Sequence, residues 1–445
     1  MKPAKRIARR SRVMAQNARA DALVIRVQAR RVVGRSLMLV LLSVLLSVAG
    51  CGGPSSTAGL PEEFLPEAEI PSSNGPGVVI ESAITASGVV KLMGVGWNLG
   101  NTLDSIDPRM SETAGKQKDK TREEFYETYW GNPVTTAEMI DTVAEAGFGA
   151  IRIPVTFSDH MDENYRIRPE WLSRVGQIVD YVLDNDIYCI INIHHDTGSG
   201  SWPWLRADPD SIGQLEEQLR IVWLQIAGYF RDYDDRLLFE SFNEILDTSD
   251  RWGGAGSGAY NAVNMLNQVF VDAVRSTGGG NDSRFLIVKT YAAGAAVDIL
   301  DAFVLPTDSA EDRLIIGAHY YGVLPFTWRQ SQVSWTDAYT DWDYSRDGKP
   351  VETIMTRLCS SSIAKGAPVI ICEFGAQNKE NTGDRASYAG HYVKTAKHYG
   401  ITCFWWDDGG QFADAESVKS FTLLDRNNCR WFFPEIVDAM ISAAG

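Results

Sequence analysis

The sequence predicts an α/β fold, a single (β/α)8 TIM barrel, and three observations favour it. Eight short runs rich in apolar and β-branched residues recur along the chain from residue 95 onwards. Stretches with a hydrophobic period near 3.6 residues separate these runs, which indicates intervening helices. The runs are almost continuously apolar, as expected for parallel strands that are buried on both faces. Eight such units favour a closed barrel over an open, doubly wound sheet.

The apolar runs and the periodic stretches give the bounds of each element in turn. The predicted strands are 95–99, 150–155, 188–193, 237–242, 285–289, 314–319, 369–373 and 402–406. The predicted helices include 137–146, 170–184, 212–231, 258–276, 350–364, 385–398 and 434–443. The helix at 170–184 follows Pro169, a residue that suits the first turn of a helix. No second linker interrupts residues 77–445, so they are interpreted as one domain.

The first 50 residues differ in composition from the rest and predict a signal peptide. Residues 1–35 are rich in arginine, and residues 37–50 form one apolar run that is short for a membrane span. The run ends Val48-Ala49-Gly50-Cys51, which resembles a bacterial lipobox. We therefore expect cleavage before Cys51 and lipidation of that cysteine. A plain cleaved signal and an uncleaved anchor are the alternatives, and Met14 is an alternative start of translation.

The residues that follow predict a tether and an acidic body. Residues 51–76 are rich in Gly, Pro, Ser and Glu and lack apolar periodicity, which is typical of a flexible tether. Beyond position 50 the chain carries 31 basic and 56 acidic side chains, a net charge of −25. Such a body should repel nucleic acid and suits a neutral polymer, although solubility alone also explains the charge. We expect a monomer on a bacterial cell envelope, facing outwards or into the periplasm, with membrane contact through the lipid anchor only.

The cysteines argue against a metal centre built from thiolates. The five that follow Cys51 are odd in number, widely spaced and without a CxxC pair. Cys189, Cys372 and Cys403 lie in predicted strands, where a thiol is expected to pack as a small buried hydrophobic group. One disulfide is compatible with export, but the spacing indicates no pairing.

Polar or aromatic residues end nearly every predicted strand. They are Asn98, Asn101, Arg152, His194, His195, Asp196, Asn243, Glu244, His319, Tyr321, Glu373, Trp406 and Asp407. In a barrel of this kind the carboxyl ends of the strands meet on one rim, where the active site lies. A single charged residue at a strand end is often only solvated, but seven ends that converge on one rim predict a site.

Two carboxylates of this set suit the cleavage of a glycosidic bond. Glu244 follows the fourth predicted strand and Glu373 ends the seventh, and these strands lie across the barrel from each other. Glycosidic cleavage needs one carboxyl group to protonate the leaving oxygen and a second to attack or to activate water. The alternative for either residue alone is a structural glutamate at the rim.

Eight motifs together resemble glycoside hydrolase family 5, the large cellulase family, and most closely its subfamily rich in endoglucanases and xyloglucanases. They are GWNLGNTLD at 96–104, WGNP at 130–133, IRIPV at 151–155, INIHHD at 191–196, FESFNE at 239–244, HYY at 319–321, EFG at 373–375 and FWWD at 404–407. They occur in family order over essentially the whole predicted domain. The resemblance implies a (β/α)8 barrel that cleaves β-glycans with retention and without a cofactor or metal.

The resemblance also implies a role for each catalytic residue. Glu244 corresponds to the general acid/base and Glu373 to the nucleophile. Asn243 is expected to hydrogen-bond the sugar 2-hydroxyl, and Arg152 to lie under Glu373 and keep it ionised. Tyr321 is expected to donate to Glu373, and His319 to support the acid/base.

Further matching residues are expected to hold the substrate. His194 corresponds to a histidine that contacts the sugar in the cleaving subsite, and Asn98 and His195 complete the supporting set. Trp406 resembles the aromatic platform under that sugar, since aromatic rings stack on sugar faces, with Trp405 as the alternative. Loop aromatics are candidates for outer subsites or for loop packing: Trp130, Trp202, Trp204, Trp252, Trp328, and in the segment 321–345 also Trp335, Tyr339, Trp342 and Tyr344.

Two features modify these expectations. The run His194-His195-Asp196 suggests a metal site, but neighbours on a strand point to opposite faces, so the two histidines are expected to be poor co-ligands. Ile245 follows the acid/base where most of the family has proline, so the loop after strand four is expected to take its own path.

Residues and resemblance together predict a retaining endo-β-1,4-glucanase. Its carboxyl groups are expected about 5–5.5 Å apart, as retention requires. Xyloglucan, mixed-linkage glucan, mannan and xylan are alternative substrates. A lipoprotein that binds glycans without cleaving them is the alternative class, and the intact set Asn243, Glu244, Tyr321 and Glu373 argues against it.

Overall fold

The computed structural model describes residues 84–107, 119–328 and 338–445 as one closed parallel barrel. The strands pair in chain order from the first to the eighth, and the eighth pairs with the first. The predicted fold class is therefore confirmed. The predicted signal peptide, Cys51, the tether and Trp335 lie outside the described residues.

The eight barrel strands lie where the apolar runs predicted them. They are β1 Gly96–Leu99, β2 Ala150–Ile153, β3 Tyr188–Asn192, β4 Leu237–Glu240, β5 Leu286–Lys289, β6 Leu314–His319, β7 Val369–Phe374 and β8 Thr402–Asp407. Strands β2, β3 and β4 end one or two residues before the predicted ends, so His194, His195 and Glu244 belong to loops. A short antiparallel pair, β9 Leu424–Asp425 and β10 Arg430–Trp431, was not predicted.

The predicted helices are present, and four further helices accompany them. In chain order they are α1 Ala86–Leu92, α2 Arg122–Glu127, α3 Ala137–Glu145, α4 Pro169–Leu183, α5 Ile212–Tyr229, α6 Ser257–Ser276, α7 Val297–Ala302, α8 Leu324–Thr327, α9 Lys349–Lys365, α10 Thr382–His398 and α11 Pro434–Ala444. The four that the pattern did not predict, α1, α2, α7 and α8, have four to seven residues. A helix of this length presents too few residues to establish a period.

Helix α1 closes the amino-terminal end of the barrel. Its buried face packs against side chains from the interior of the strands, including Ile190, Leu238 and Ile370. The Thr85 hydroxyl accepts a hydrogen bond from the Gly88 amide and so satisfies one donor at the start of the helix. With this end filled by apolar groups, polar side chains collect at the carboxyl ends of the strands.

The sheet is irregular on both sides of β7. The register shifts between Ala318 and His319 on β6, and again between Ile371 and Phe374 where β7 pairs with β8. His319 is thereby paired with Glu373. Such irregularities re-aim side chains, and here they turn His319 and Glu373 towards the same space.

The cysteines within the described chain behave as packing residues. Cys189, Cys372 and Cys403 are fully buried in strands, as predicted. None of the five cysteines that the structure describes forms a disulfide. Among the same described residues, no helix has both the length and the apolar character that a membrane span requires.

Candidate active site

Glu244 and Glu373 face each other at the carboxyl end of the barrel. Glu244 follows β4, Glu373 lies in β7, and one carboxyl oxygen of each lies within 4.8 Å of the other. This limit on the nearest oxygens is compatible with the roughly 5–5.5 Å between the carboxyl groups that retention requires. The Glu244 side chain is 24% exposed and that of Glu373 only 7%, so Glu244 is the more accessible of the two.

Arg152 is the central cation beneath this pair. Its guanidinium donates to Glu373 Oε1 at 2.9 Å and forms a two-point ion pair with Glu240, at 2.6 and 2.9 Å. Burial lowers the pKa of Arg152, but the charges of Glu240 and Glu373 raise it by more, so the group stays charged. The predicted position of Arg152 under Glu373 is thus found.

Two asparagines are held by the same guanidinium. Arg152 donates to Asn98 Oδ1 at 2.9 Å and to Asn243 Oδ1 at 3.0 Å. The amide of Asn98 donates to the carbonyls of Cys372 and Trp405 at 3.0 and 3.1 Å, so this residue joins β1, β7 and β8 and supports the site from below. For Asn243 the contact directs Oδ1 towards Arg152 and Nδ2 away from it, as a donor to a sugar hydroxyl requires.

Glu373 is held by groups that favour its ionised form within a buried environment. The Tyr321 hydroxyl donates to Glu373 Oε2 at 2.8 Å, as predicted from the resemblance. Burial raises the pKa of Glu373, while the charges of Arg152 and Lys289 and the Tyr321 hydrogen bond lower it. Glu373 is therefore not the easily ionised group that charge pairing alone predicts, because desolvation opposes the pairing.

Glu244 has the properties of a general acid. Partial burial and the charge of Glu373 raise its pKa to about 8, against the charges of Lys289 and Arg152. A carboxyl group with this pKa keeps its proton at neutral pH. His319 Nδ1 lies 2.9 Å from Glu244 Oε1, which is the supporting contact predicted for this histidine.

The family model for "Cellulase (glycosyl hydrolase family 5)" matches residues 114–411 of this chain. The chain belongs to glycosyl hydrolase family 5. As a member of this family it is a glycoside hydrolase, and the closed eight-stranded barrel agrees with that assignment.

Relatives found by sequence and by structure align with about four fifths of this chain. The chain is 37% identical to endoglucanase A of Clostridium longisporum over 359 residues, which span 80% of this chain and 65% of that protein. A broad-specificity endoglucanase from Ruminococcus champanellensis with bound cellotriose aligns with a TM-score of 0.71 and 37% identity, over 80% of this chain and 98% of that one. A family 5 enzyme from Prevotella bryantii in complex with a xyloglucan tetradecasaccharide gives 0.70 and 34%, over 81% and 99%.

Two buried charges of this family 5 site were missed from the sequence. Glu240 ends β4 and Lys289 ends β5, both side chains are fully buried, and the Lys289 ammonium lies 3.0 Å from Glu240 Oε1. Burial raises the pKa of Glu240, but Arg152 and Lys289 lower it to about 2 overall. The available signal was a charged residue at the end of an otherwise apolar strand, LIVK for β5 and LLFE for β4.

His194 and His195 do not point to opposite faces, and that prediction is wrong. β3 ends at Asn192, so the alternation of a strand does not apply, and the Nε2 atoms of both rings lie 3.9 and 3.7 Å from Asp104 Oδ2. Hydrogen bonding nevertheless opposes a metal here. Asn192 Oδ1 accepts from the Val155 amide, which directs Nδ2 to His194 Nδ1 at 3.2 Å and leaves the proton on Nε2. A protonated nitrogen offers no lone pair to a cation.

Asp104 is a buried carboxyl group beside His194 and His195 that was not predicted as a site residue. It is fully buried, and its carboxyl group accepts from the amides of Asn101 and Thr102 at 3.1 and 2.6 Å. Burial raises its pKa to about 7. Its position beside His194 and His195 makes it a support for the histidine pair.

The structure distinguishes the two tryptophans of β8. Trp406 is 9% exposed, and its ring is parallel to that of His194 with centroids 5.7 Å apart. Any side chain at position 100 would begin 2.8 Å from the Trp406 ring, so Gly100 makes room for the indole. Trp405 is fully buried and donates through Nε1 to the Phe421 carbonyl at 2.9 Å. Trp406 is therefore the platform candidate, and Trp405 belongs to the core.

The loop aromatics divide into exposed and packed residues. Trp202 and Trp252 are exposed, whereas Trp130 contacts His195 edge to face, with centroids 5.5 Å apart. Trp204 donates to Asp196 at 2.8 Å, and Trp328 packs edge to face on Tyr321. In the segment 321–345, Tyr339 and Trp342 pack on Phe326, and the exposed Tyr344 donates to Glu352. Packing is thus the outcome for Tyr339, Trp342 and Trp204, whereas Tyr344 remains exposed.

Ile245, which stands where most of family 5 has proline, is fully buried. Its carbonyl accepts from the Ala292 amide at 3.1 Å, and the next carbonyl, of Leu246, accepts from Ala207 at 2.9 Å. The loop after β4 is therefore tied to the loops after β5 and β3. The change leaves Glu244 in place opposite Glu373.

Proposed function

We propose that the protein is a retaining endo-β-1,4-glucanase in which Glu373 is the nucleophile and Glu244 the acid/base. The observation that carries the proposal is the pair itself. Two carboxyl groups lie within 4.8 Å of each other, one held by Arg152 and Tyr321, the other with its pKa raised to about 8. When the environments of two neighbouring carboxyl groups give them different pKa values, one can serve as the acid and the other as the nucleophile.

In the first step Glu373 attacks the anomeric carbon while Glu244 protonates the departing glycosidic oxygen. The sugar is then bound to Glu373 as an ester, and the chain beyond the cleaved bond leaves. In the second step water attacks the same carbon and gives a proton to Glu244, which restores both groups. Two inversions give net retention.

The buried charges favour this exchange of roles by Glu244. In the free enzyme, Arg152 and Lys289 balance Glu240 and ionised Glu373, so a neutral, protonated Glu244 leaves the site without net charge. Esterification removes the charge of Glu373 and leaves one positive charge in excess. Ionised Glu244 is then favoured, as a general base requires.

A linear β-1,4-glucan is the proposed substrate. The sugar in the cleaving subsite, whose anomeric carbon is attacked, lies over Trp406 and places its 2-hydroxyl at Asn243. The relatives described above as a broad-specificity endoglucanase and as a xyloglucan complex support xyloglucan as a second candidate. Reducing-sugar release from cellulose derivatives, xyloglucan, mixed-linkage glucan, mannan and xylan will decide between them. If none of these polymers releases reducing sugar, the proposed glucanase activity is wrong and only a binding function remains.

The catalytic assignment is tested with Glu373→Ala and Glu244→Ala. Both variants should fold, as judged by circular dichroism, and should lose turnover of polymer. Added azide should restore cleavage of an activated cellobioside and give the β-azide with Glu244→Ala but the α-azide with Glu373→Ala. Wild-type activity in either variant, or the reverse stereochemistry, would contradict the roles.

We also propose that the protein is exported and anchored by a lipid on Cys51, as a monomer at a bacterial cell envelope. The apolar run at 37–50, the VAGC sequence and the acidic body support this. Mass spectrometry of the membrane-bound protein should find a lipid-modified Cys51 at the new amino terminus. A membrane-bound protein whose Cys51 is unmodified would exclude lipidation as the anchor.

A further inference from the structure

Lys289 is a buried cation that the two catalytic steps above do not use directly. It ends β5, is fully buried, and lies 3.0 Å from Glu240 Oε1 and 2.8 Å from His319 Nε2. The fold makes room for it, since a Cβ atom at Gly317 on β6 would lie 2.9 Å from Lys289 Cδ. A long charged side chain in such a place needs partners for its ammonium.

The contact with Lys289 determines which nitrogen of His319 carries the proton. An ammonium group has three donors and no acceptor, so His319 Nε2 must accept. Burial and the charges of Lys289 and Arg152 lower the pKa of His319, which keeps the ring neutral. The single ring proton then lies on Nδ1, which is 2.9 Å from Glu244 Oε1.

This tautomer decides where the acidic proton of Glu244 lies. Because Nδ1–H donates to Oε1, the carboxyl proton occupies Oε2, the oxygen that remains to face a leaving group. In the opposite tautomer Nδ1 would accept a hydrogen bond from the protonated carboxyl group of Glu244. The acidic proton would then point to His319 instead of to the glycosidic oxygen.

We propose that Lys289 is a positioning residue for general acid catalysis, which keeps His319 in the Nδ1–H tautomer and so directs the proton of Glu244 to the glycosidic oxygen. The inference rests on the proposed role of Glu244 as the acid. The tautomer itself can be measured without any turnover, so a failure of this inference is distinguishable from a failure of the proposed function.

The first test is the tautomer of His319, measured by nitrogen-15 NMR of the imidazole rings. The chain has only six histidines, and a His319→Gln sample identifies the signal. We expect the Nδ1–H form in the wild type and a shift towards Nε2–H in Lys289→Met. A wild-type His319 in the Nε2–H form, or an unchanged tautomer in the variant, overturns the proposal.

The second test compares leaving groups. General acid catalysis contributes roughly 10²–10⁴-fold, so Lys289→Met should lose roughly 10-fold or more of kcat/KM on glucan. A 2,4-dinitrophenyl cellobioside needs little protonation of its leaving group and should lose less than roughly 3-fold. Equal losses on both substrates would contradict a role in positioning the acid.

The double variant Lys289→Met with Glu240→Gln separates this role from simple charge balance. It removes one positive and one negative charge together, so no buried charge is left without a partner. If Lys289 acts through His319, the double variant keeps the selective loss on glucan and the altered tautomer. Recovery of wild-type activity on glucan would show that Lys289 only neutralises Glu240, and would overturn the proposal.

Discussion

Removal of the charge on Glu373 should lower the pKa of Glu244, and this tests the electrostatic basis of the proposed mechanism. In the free enzyme the charge of Glu373 is one of the two main causes that raise the pKa of Glu244 to about 8. Glu373→Gln keeps the size of the side chain and removes the charge. Because a negative neighbour favours the protonated form, its loss favours the ionised form.

The size of the shift follows from the separation of the two groups. Two unit charges 4.8 Å apart, the limit given by their nearest oxygens, interact by about 3.5 kcal/mol at an effective dielectric constant of about 20. This corresponds to about 2.5 pKa units. Burial of Glu244 is unchanged in the variant, so we expect its pKa to fall by about 2.5 units but to stay above that of an exposed glutamate.

The assay is a carbon-13 NMR titration of protein labelled at the glutamate carboxyl carbon. The signal of Glu244 is identified by its absence in a Glu244→Gln sample. Glu145→Gln, which removes the same charge at the exposed end of α3, is the matched control and should leave the pKa of Glu244 where it is. A pKa of Glu244 that is unchanged in Glu373→Gln refutes the coupling and with it the charge-driven switch from acid to base.

Three further predictions follow from the site. The value of kcat/KM should fall above about pH 8, because Glu244 loses its proton there. It should also fall on the acid side, at a pH above the ordinary carboxyl range, because burial raises the pKa of Glu373. A kcat/KM that stays constant up to pH 10 would contradict the role of Glu244. Trp406→Ala should raise KM for glucan about tenfold. Trp405→Ala should cost about 3–5 kcal/mol in the free energy of unfolding measured with urea. Arg152→Met leaves two buried carboxylates without their main partner and should destabilise the protein by about 3–5 kcal/mol; a loss of activity at full stability would show that the fold does not depend on this cation.

Most of the fold could be predicted because its signals are local. The strands β1 to β8 are apolar on both faces, and α4 or α6 carries enough turns for its buried face to show a period. Helix α1 was missed because its seven residues are too few, and its role in closing the barrel depends on side chains from many strands. The opposed position of Glu244 and Glu373 could be predicted because strand order alone places the fourth and seventh strands across the barrel.

The buried charges could not be predicted in the same way. Glu240 and Lys289 are separated by 49 positions in the chain and become partners only because β4 and β5 are neighbours with a particular register. The contact of His194 and His195 with Asp104 likewise depends on where β3 ends. A sequence pattern shows that a charged residue ends a strand. It does not show which residue of opposite charge becomes its partner when both are buried.

The sequence by itself determined the barrel, the rim on which its polar residues gather, and the two glutamates that mark a glycoside hydrolase. These depend on hydrophobic period and strand order, which are written along the chain. Only the tertiary structure showed that Trp405 is fully buried whereas Trp406 stacks beside His194, that burial and the charge of Glu373 raise the pKa of Glu244, and that His319 lies between Lys289 and Glu244. Burial, distance and hydrogen-bond direction control those properties, and all three arise only when distant segments are packed together.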